Sequence, residues 1–348
     1  MKPVGPPPEL IVKYLSKIRK SGIYSNYGPL VQNLEERFAK YFNIDKSLVV
    51  LCSNATQAIS ASVVLSPATS FICPAFTFAA TPLALQHSCK KFMFADIDKS
   101  TWDLNVYRIK EKSGQGLVSV LPFGDNPNYE KFGSFEYVIF DAAASIGNPN
   151  LDLHKLEENW VAIFSLHATK ILGIGEGGLA VFGSKKAAIN FRKYINFGFW
   201  ETRKSSLLGS NIKISEYAAA IGHAALDNIK QEFKEWSESR QSVTAIENNL
   251  ELNSFSSRLS GVNPYWILEF ESKRQTNHVE SVLSQFGIET RRWWGTGMHN
   301  WEVFRHIEWA TDFTNTDKVS NTYLGLPFYR SLKDSDSNRI KLALEKAC

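Results

Sequence analysis

The stretch SLHATKILGIGEGG, residues 165–178, holds a lysine, Lys170, and a glycine cluster, Gly173, Gly175 and Gly178, that fits G-x-G-x-x-G. The fold depends on which of the two carries the function. A dinucleotide-binding fingerprint needs its glycines directly after a strand and at the mouth of a helix, so that the helix N-terminus faces the pyrophosphate. Here the preceding strand-like run ends near Ser165, eight residues before Gly173, and the residues after Gly178, LAVFGS, read as a strand. A Walker A loop fails as well, because its lysine follows the last glycine. The glycines are therefore read as a tight turn that returns the chain to a sheet, and Lys170 stands on the loop between two strands.

Outward from this hairpin the chain alternates helix-like and strand-like segments. PLVQNLEERFAKYF (29–42) places Leu30, Leu34, Phe38 and Phe42 on one helical face, and ATQAISASVVL (55–65) is a second, small-residue helix. SLVVLC (47–52), SFICP (70–74), KFMFADI (91–97), LVSVLP (117–122), YVIFDAA (137–143) and VAIFSL (161–166) are short apolar runs without alternation. That is the pattern of strands covered on both faces of a mostly parallel sheet. The expected class is α/β, with a large domain over 1–235 and a small α+β domain over 236–348. Between them runs a long amphipathic helix, 215–250, and the small domain holds a strand PYWILEFES (264–272), a helix around HVESVLSQFG (278–287) and a last helix DSNRIKLALEKA (336–347). VGPPPEL at the start reads as an extended lead-in.

Composition narrows the function. The net charge of +4 is spread over 39 basic and 35 acidic residues, too mild to imply nucleic acid. The start has no signal-peptide core and no run is long and apolar enough to span a bilayer, so a cytoplasmic protein without membrane partners is expected. The four cysteines and seven histidines show no metal-ligand spacing, so no metal is expected, and no G-x-S-x-G elbow is present.

A lone loop lysine is usually a solvated side chain, and three other segments change its weight. Asp141 ends the run YVIFD at the edge where parallel sheets place ligands, although a helix cap is an equal reading. Ser53, Asn54 and Thr56 lie between a strand and a helix, suited to a phosphate or simply to capping. Phe76 and Phe78 follow a third strand, as core or as a stacking face. Lysine, carboxylate, phosphate cradle and ring together meet the needs of pyridoxal phosphate: an amine for its aldehyde, an anion for its ring nitrogen, donors for its phosphate and a flat neighbour.

In order and interval, YGPLVQNLEERFAKYF, FTFAAT, ADIDKSTWDLN, FDAAASIG, SLHATKILGIGEGG and LGSNIKISEYAAAIGHAAL resemble the DegT/DnrJ/EryC1/StrS family of nucleotide-sugar aminotransferases, and LGLPFYRSL does so more loosely. The specific element is the spacing of Ser165, Lys170, Glu176, Gly177 and Gly178. The resemblance implies an aspartate-aminotransferase-like (type I) fold with pyridoxal 5′-phosphate as cofactor. It makes Lys170 the Schiff-base residue, Asp141 the partner of the pyridine nitrogen, Phe78 the stacking ring and Ala143 a contact on the opposite ring face. Asn54, Ala55, Thr56 and Ser165 become phosphate-side residues, and Asn211 matches an asparagine that reaches the phosphate from the neighbouring subunit of a homodimer. There are departures: Asn54-Ala55-Thr56 replaces Ser-Gly-Thr, Ala144 replaces a Gln or His, and Lys213 replaces an Arg.

The activity implied is transfer of an amino group from glutamate to a nucleotide-linked keto-deoxysugar. The first choice is a dTDP-4-keto-6-deoxyhexose destined for surface polysaccharide such as O-antigen, with a 3-keto isomer next. A lyase or dehydratase on the same scaffold, or a catalytically silent cofactor-binding protein, are the alternatives. ETRRWWGTGMHNW (289–301) supplies Arg291, Arg292, Trp293 and His299 as candidate substrate contacts with Lys213, since an arginine suits a diphosphate. A packed tryptophan pair under solvated arginines is the plain alternative.

Overall fold

A computed structural model describes residues 3–110 and 113–348. Its centre is an eight-stranded sheet in the order β1-β7-β6-β5-β4-β2-β3-β9. The strands are β1 (Val49–Cys52), β2 (Ser70–Pro74), β3 (Lys91–Ala95), β4 (Gln115–Val120), β5 (Tyr137–Asp141), β6 (Trp160–Ser165), β7 (Gly178–Phe182) and β9 (Glu308–Trp309). β7 opposes both its neighbours, and every other pairing in this sheet is parallel.

Alternate residues on each strand enter opposite faces, as the pleat requires. Leu51, Val138, Phe140, Phe164 and Val181 belong to one apolar cluster, and Cys52, Ile139, Val161, Ile163 and Phe182 to the other. This two-sided burial is why the strands read as unbroken apolar runs. Helix α2 (Pro29–Phe42) buries Leu30, Leu34 and Phe38 as their spacing predicts. Helix α3 (Ala55–Leu65) follows β1, and α4 (Ala80–His87) and α5 (Lys185–Tyr194) complete this region.

Two elements depart from the sequence reading. The proline run leads into a helix, α1 (Pro8–Ser21), because a proline in the first turn gives up only an amide that has no partner there. β9 brings a short piece of the C-terminal half to the edge of the large sheet, where the Ala310 N–H donates to the Phe94 carbonyl at 2.7 Å. Two exposed residues carry no periodic signal.

Ser215 caps the long helix α6 (Glu216–Asn249), its hydroxyl accepting from the Ala218 N–H. This helix packs on α1, α2 and the last helix, α9 (Asp334–Ala347). It runs unbroken through residues 235 and 236, and 1–235 with 236–348 stands as a proposed division. Beyond it, β8 (Ile267–Glu269) pairs antiparallel with β10 (Tyr323–Gly325), flanked by α7 (Lys273–Gln285) and α8 (Thr314–Asn321). Among the described residues no helix is long and apolar enough to cross a membrane.

Candidate active site

The parallel strands end on one edge of the sheet, and a cavity of about 680 Å³ opens there. This volume lies within the range of small-molecule sites. It gathers Asn54, Ala55 and Thr56 after β1, Phe78 after β2, Phe123 after β4, Asp141 and Ala143 at the end of β5, Ser165 at the end of β6, and Lys170.

The hairpin between β6 and β7 places Lys170. Its ladder continues past the strands through Leu166 N–H to the Gly177 carbonyl and Ala168 N–H to the Gly175 carbonyl, both 2.9 Å. Gly175 adopts φ +95°, which other residues rarely do. A side chain at Gly178 would approach the Asn54 carbonyl carbon to 2.5 Å, so this glycine lets β7 lie against the start of α3. The cluster that mimics a nucleotide fingerprint is thus a packing device, and it delivers the lysine. Behind the loop, Glu232 of α6 is buried beside Leu172, a residue of φ +57°, and pairs with Arg330 at 3.5 Å. The Lys170 amine donates to the Tyr265 hydroxyl at 2.7 Å.

Asp141 is buried, and burial raises its pKa above the usual carboxylate range. A hydrogen bond from the Thr81 hydroxyl at 2.6 Å, another from the Ala143 N–H at 3.3 Å and the charge of Lys170 pull the other way. No ion pair to Asp141 forms among the described residues, which leaves acceptor capacity facing the cavity. Thr77 and Thr81, both fully buried, share a 3.0 Å hydrogen bond behind it.

At the start of α3 the Asn54 side chain accepts from the Gln57 N–H at 2.8 Å, so capping is its role in this geometry. The first two amides of the helix, Ala55 and Thr56, have no intrahelical acceptor and lie on the cavity wall, a natural anion site. Of the two rings weighed from sequence, Phe76 is core, edge-on to Trp102, Trp294 and Tyr323. Phe78 is 63% exposed and faces the cavity. These residues fit pyridoxal phosphate. Open amides and Ser165 suit the phosphate, an unpaired buried carboxylate suits a protonated ring nitrogen, an uncovered phenyl face suits a flat ring, and an amine suits the aldehyde.

The substrate side is divided. Arg291 and Trp293 line the cavity, the guanidinium 5.2 Å from the indole centroid. Arg292 points away, donating to Glu280 at 2.7 Å and to Asn277 at 2.7 Å on α7. His299 is buried outside the cavity, stacked on Phe313 at 3.9 Å, with burial lowering its pKa. Asn211 and Lys213 also lie outside it. They hydrogen-bond each other at 2.7 Å, and the Lys213 amine sits 4.4 Å from the Phe197 ring centroid. Sequence reasoning did not single out Tyr265, Thr77, Thr81 or Phe123. A tyrosine just before a buried strand is one available signal, since a buried phenol seeks a polar partner.

The model of the DegT/DnrJ/EryC1/StrS aminotransferase family matches residues 8–345. The dTDP-4-amino-4,6-dideoxy-D-glucose transaminase of Shigella dysenteriae is 24% identical over 345 residues, spanning 95% of this chain and 94% of that protein. A Bacillus cereus ATCC 10987 protein assigned as a PLP-dependent aminotransferase superposes with a TM-score of 0.89 at 26% identity, covering 99% of this chain and 98% of the other. DesI, solved in the presence of its TDP-sugar product, gives a TM-score of 0.85 at 27% identity, with 99% and 91% covered.

Proposed function

The chain belongs to the DegT/DnrJ/EryC1/StrS aminotransferase family and is a pyridoxal-phosphate-dependent sugar aminotransferase; on that premise we propose that it moves an amino group from glutamate to a nucleotide-linked 4-keto-6-deoxyhexose. The observation that carries the site assignment is the convergence of Lys170, Asp141, Phe78, Ser165 and the open amides of α3 on one cavity. The dTDP form is the first substrate to try, because one relative is named for a dTDP-4-amino-4,6-dideoxy sugar and DesI was solved with a TDP-sugar.

When bound, the cofactor supplies an aldehyde that receives the amino group and a ring that withdraws electrons from the donor's α-carbon. The protein's part follows from its own groups. Ala55 and Thr56 donate their amides to the phosphate, with the Ser165 hydroxyl beside them. Phe78 covers one ring face and Ala143 leaves room at the other. Asp141, held by Thr81 and Ala143, keeps the ring nitrogen protonated. Lys170 Nζ would hold the aldehyde carbon and, once displaced, would take the α-proton of the amino donor and pass it to that former aldehyde carbon. Arg291 receives the substrate's diphosphate. Asn211 and Lys213, outside their own cavity, serve the second site of a homodimer.

The test is purified protein with glutamate and a panel of nucleotide-linked 3- and 4-keto sugars, the products identified by mass spectrometry and NMR. Borohydride should fix the cofactor on Lys170, and Lys170→Ala should abolish turnover. A cofactor adduct on another lysine, or activity confined to free sugars or keto acids, would refute the proposal.

A further inference from the structure

We propose that Tyr265 is the positioning residue for the Lys170 amine; the inference rests on reading Lys170 as the cofactor's attachment point. The 2.7 Å bond between Nζ and the phenol is the one side-chain hydrogen bond to this amine among the described residues. The lysine stem is long and flexible, so an unheld amine would sweep the cavity.

Tyr265 itself has little freedom. It is 5% exposed, with its ring edge-on to Phe123 at 5.0 Å and to Trp293 at 5.6 Å. Its N–H donates to the Asn263 side chain at 3.3 Å, and its carbonyl accepts from Arg240 of α6. The backbone is pinned on both sides of the phenol, and the hydroxyl is the polar end of a wedge packed among rings.

A phenol suits the task because it both donates and accepts. When Lys170 is an ammonium, Nζ–H donates to the hydroxyl oxygen. When the amine is neutral, the hydroxyl hydrogen turns to the nitrogen lone pair, and no other acceptor for it exists among the described residues. The same pair of atoms therefore holds Nζ in place whether or not it carries the extra proton. The neutral amine is the form that attacks a carbonyl carbon, forming a carbon–nitrogen double bond as the oxygen leaves as water.

Tyr265→Phe keeps the packed ring and removes the hydroxyl. Cofactor-free wild type and variant are mixed with pyridoxal phosphate, and attachment at Lys170 is followed by borohydride trapping and peptide mass spectrometry. Affinity for pyridoxamine phosphate, which lacks the aldehyde and cannot link to a lysine, is measured in parallel. Attachment should slow roughly 10-fold in the variant, the effect of losing one hydrogen bond to an amine, while pyridoxamine phosphate affinity stays unchanged. Equal attachment rates would overturn the assignment. So would a matching loss of pyridoxamine phosphate affinity, which would mean that the hydroxyl only supports the cavity's shape. If wild type failed to attach the cofactor at Lys170, the underlying reading of the site would fall with it.

Discussion

Asp141→Asn separates the chemistry of the carboxylate from its place in the fold. The side chain is nearly isosteric, and its surroundings can adapt. The asparagine oxygen still accepts from the Ala143 N–H, and the Thr81 hydroxyl can reverse to accept from the new amide while donating to Thr77, its partner at 3.0 Å. What disappears is the charge. Glu176, the other carboxylate on the cavity wall, has a side chain 70% exposed and cannot replace a buried anion. A nearby opposite charge moves a pKa by about one to three units, so the ring nitrogen should lose that much basicity and kcat should fall about 10- to 1000-fold.

Stability should move the other way. Burial raises the Asp141 pKa, so in the cofactor-free fold the protonated form is favoured. Its contribution to stability is then present below the ordinary carboxylate range and is lost as pH rises through the raised value. The uncharged asparagine escapes this loss. Cofactor-free Asp141→Asn should therefore melt at or above wild type at neutral pH, with the gap closing as the solution is acidified. Stopped-flow bleaching of the cofactor band by glutamate reads the first effect and calorimetry across pH the second. An unchanged kcat would refute the role of the charge, and a lower neutral-pH Tm would refute the account of burial.

Phe78→Ala should weaken pyridoxal phosphate binding about 2- to 12-fold, the worth of one ring stack, and leave the cofactor-free Tm unmoved because the ring is largely exposed; equilibrium dialysis and calorimetry check both. Arg291→Ala should raise KM for the nucleotide sugar about 10-fold or more, as expected for lost charge-assisted hydrogen bonds. Arg292→Ala should leave KM alone and cost up to about 1 kcal/mol of stability through Glu280, and a KM effect at Arg292 would contradict the geometry. Lys170→Ala protein mixed with a variant altered at both Asn211 and Lys213 should recover activity through one intact site per heterodimer, whereas a fully active monomer in light scattering would dispose of the shared site.

The sheet was legible because its strands are buried on both faces, which writes β-type runs into the sequence without any knowledge of partners. Asp141 and the start of α3 were legible for a related reason: each follows directly from a strand end, and Lys170 stands on the hairpin loop that two such strands bracket, so local pattern fixes where each lies. Thr81 and Tyr265 were not. Thr81 lies 60 residues from Asp141 and Tyr265 lies 95 from Lys170, and only the folded topology joins them. The Arg291–Arg292 pair shows a subtler limit. Arg291 bridges to Gly325 in extended geometry, with reciprocal bonds at 2.8 and 2.7 Å. Successive side chains in such a segment point to opposite sides, so two adjacent arginines cannot share one ligand. Sequence treated them alike. The proline run hid α1 because prolines signal extended chain except in a helix's first turn.

Helix α6 acts as a gauge block for the reacting end of the site. Glu232 lies against the lysine loop beside Ala168, Thr169 and Lys170, and Arg240 ties the helix to the backbone of Tyr265. The two anchors stand about two turns, or roughly 12 Å, apart on one unbroken rod. The spacing between amine and phenol is thus referred to a single rigid part, not to the fit between two halves of the molecule. Any tilting of the C-terminal region that closes Arg291 over a sugar must pivot outside the interval from 232 to 240. The tolerance on substrate fit can then be loose while the tolerance at the nitrogen stays tight, and sequence change around the sugar can proceed without detuning the amine.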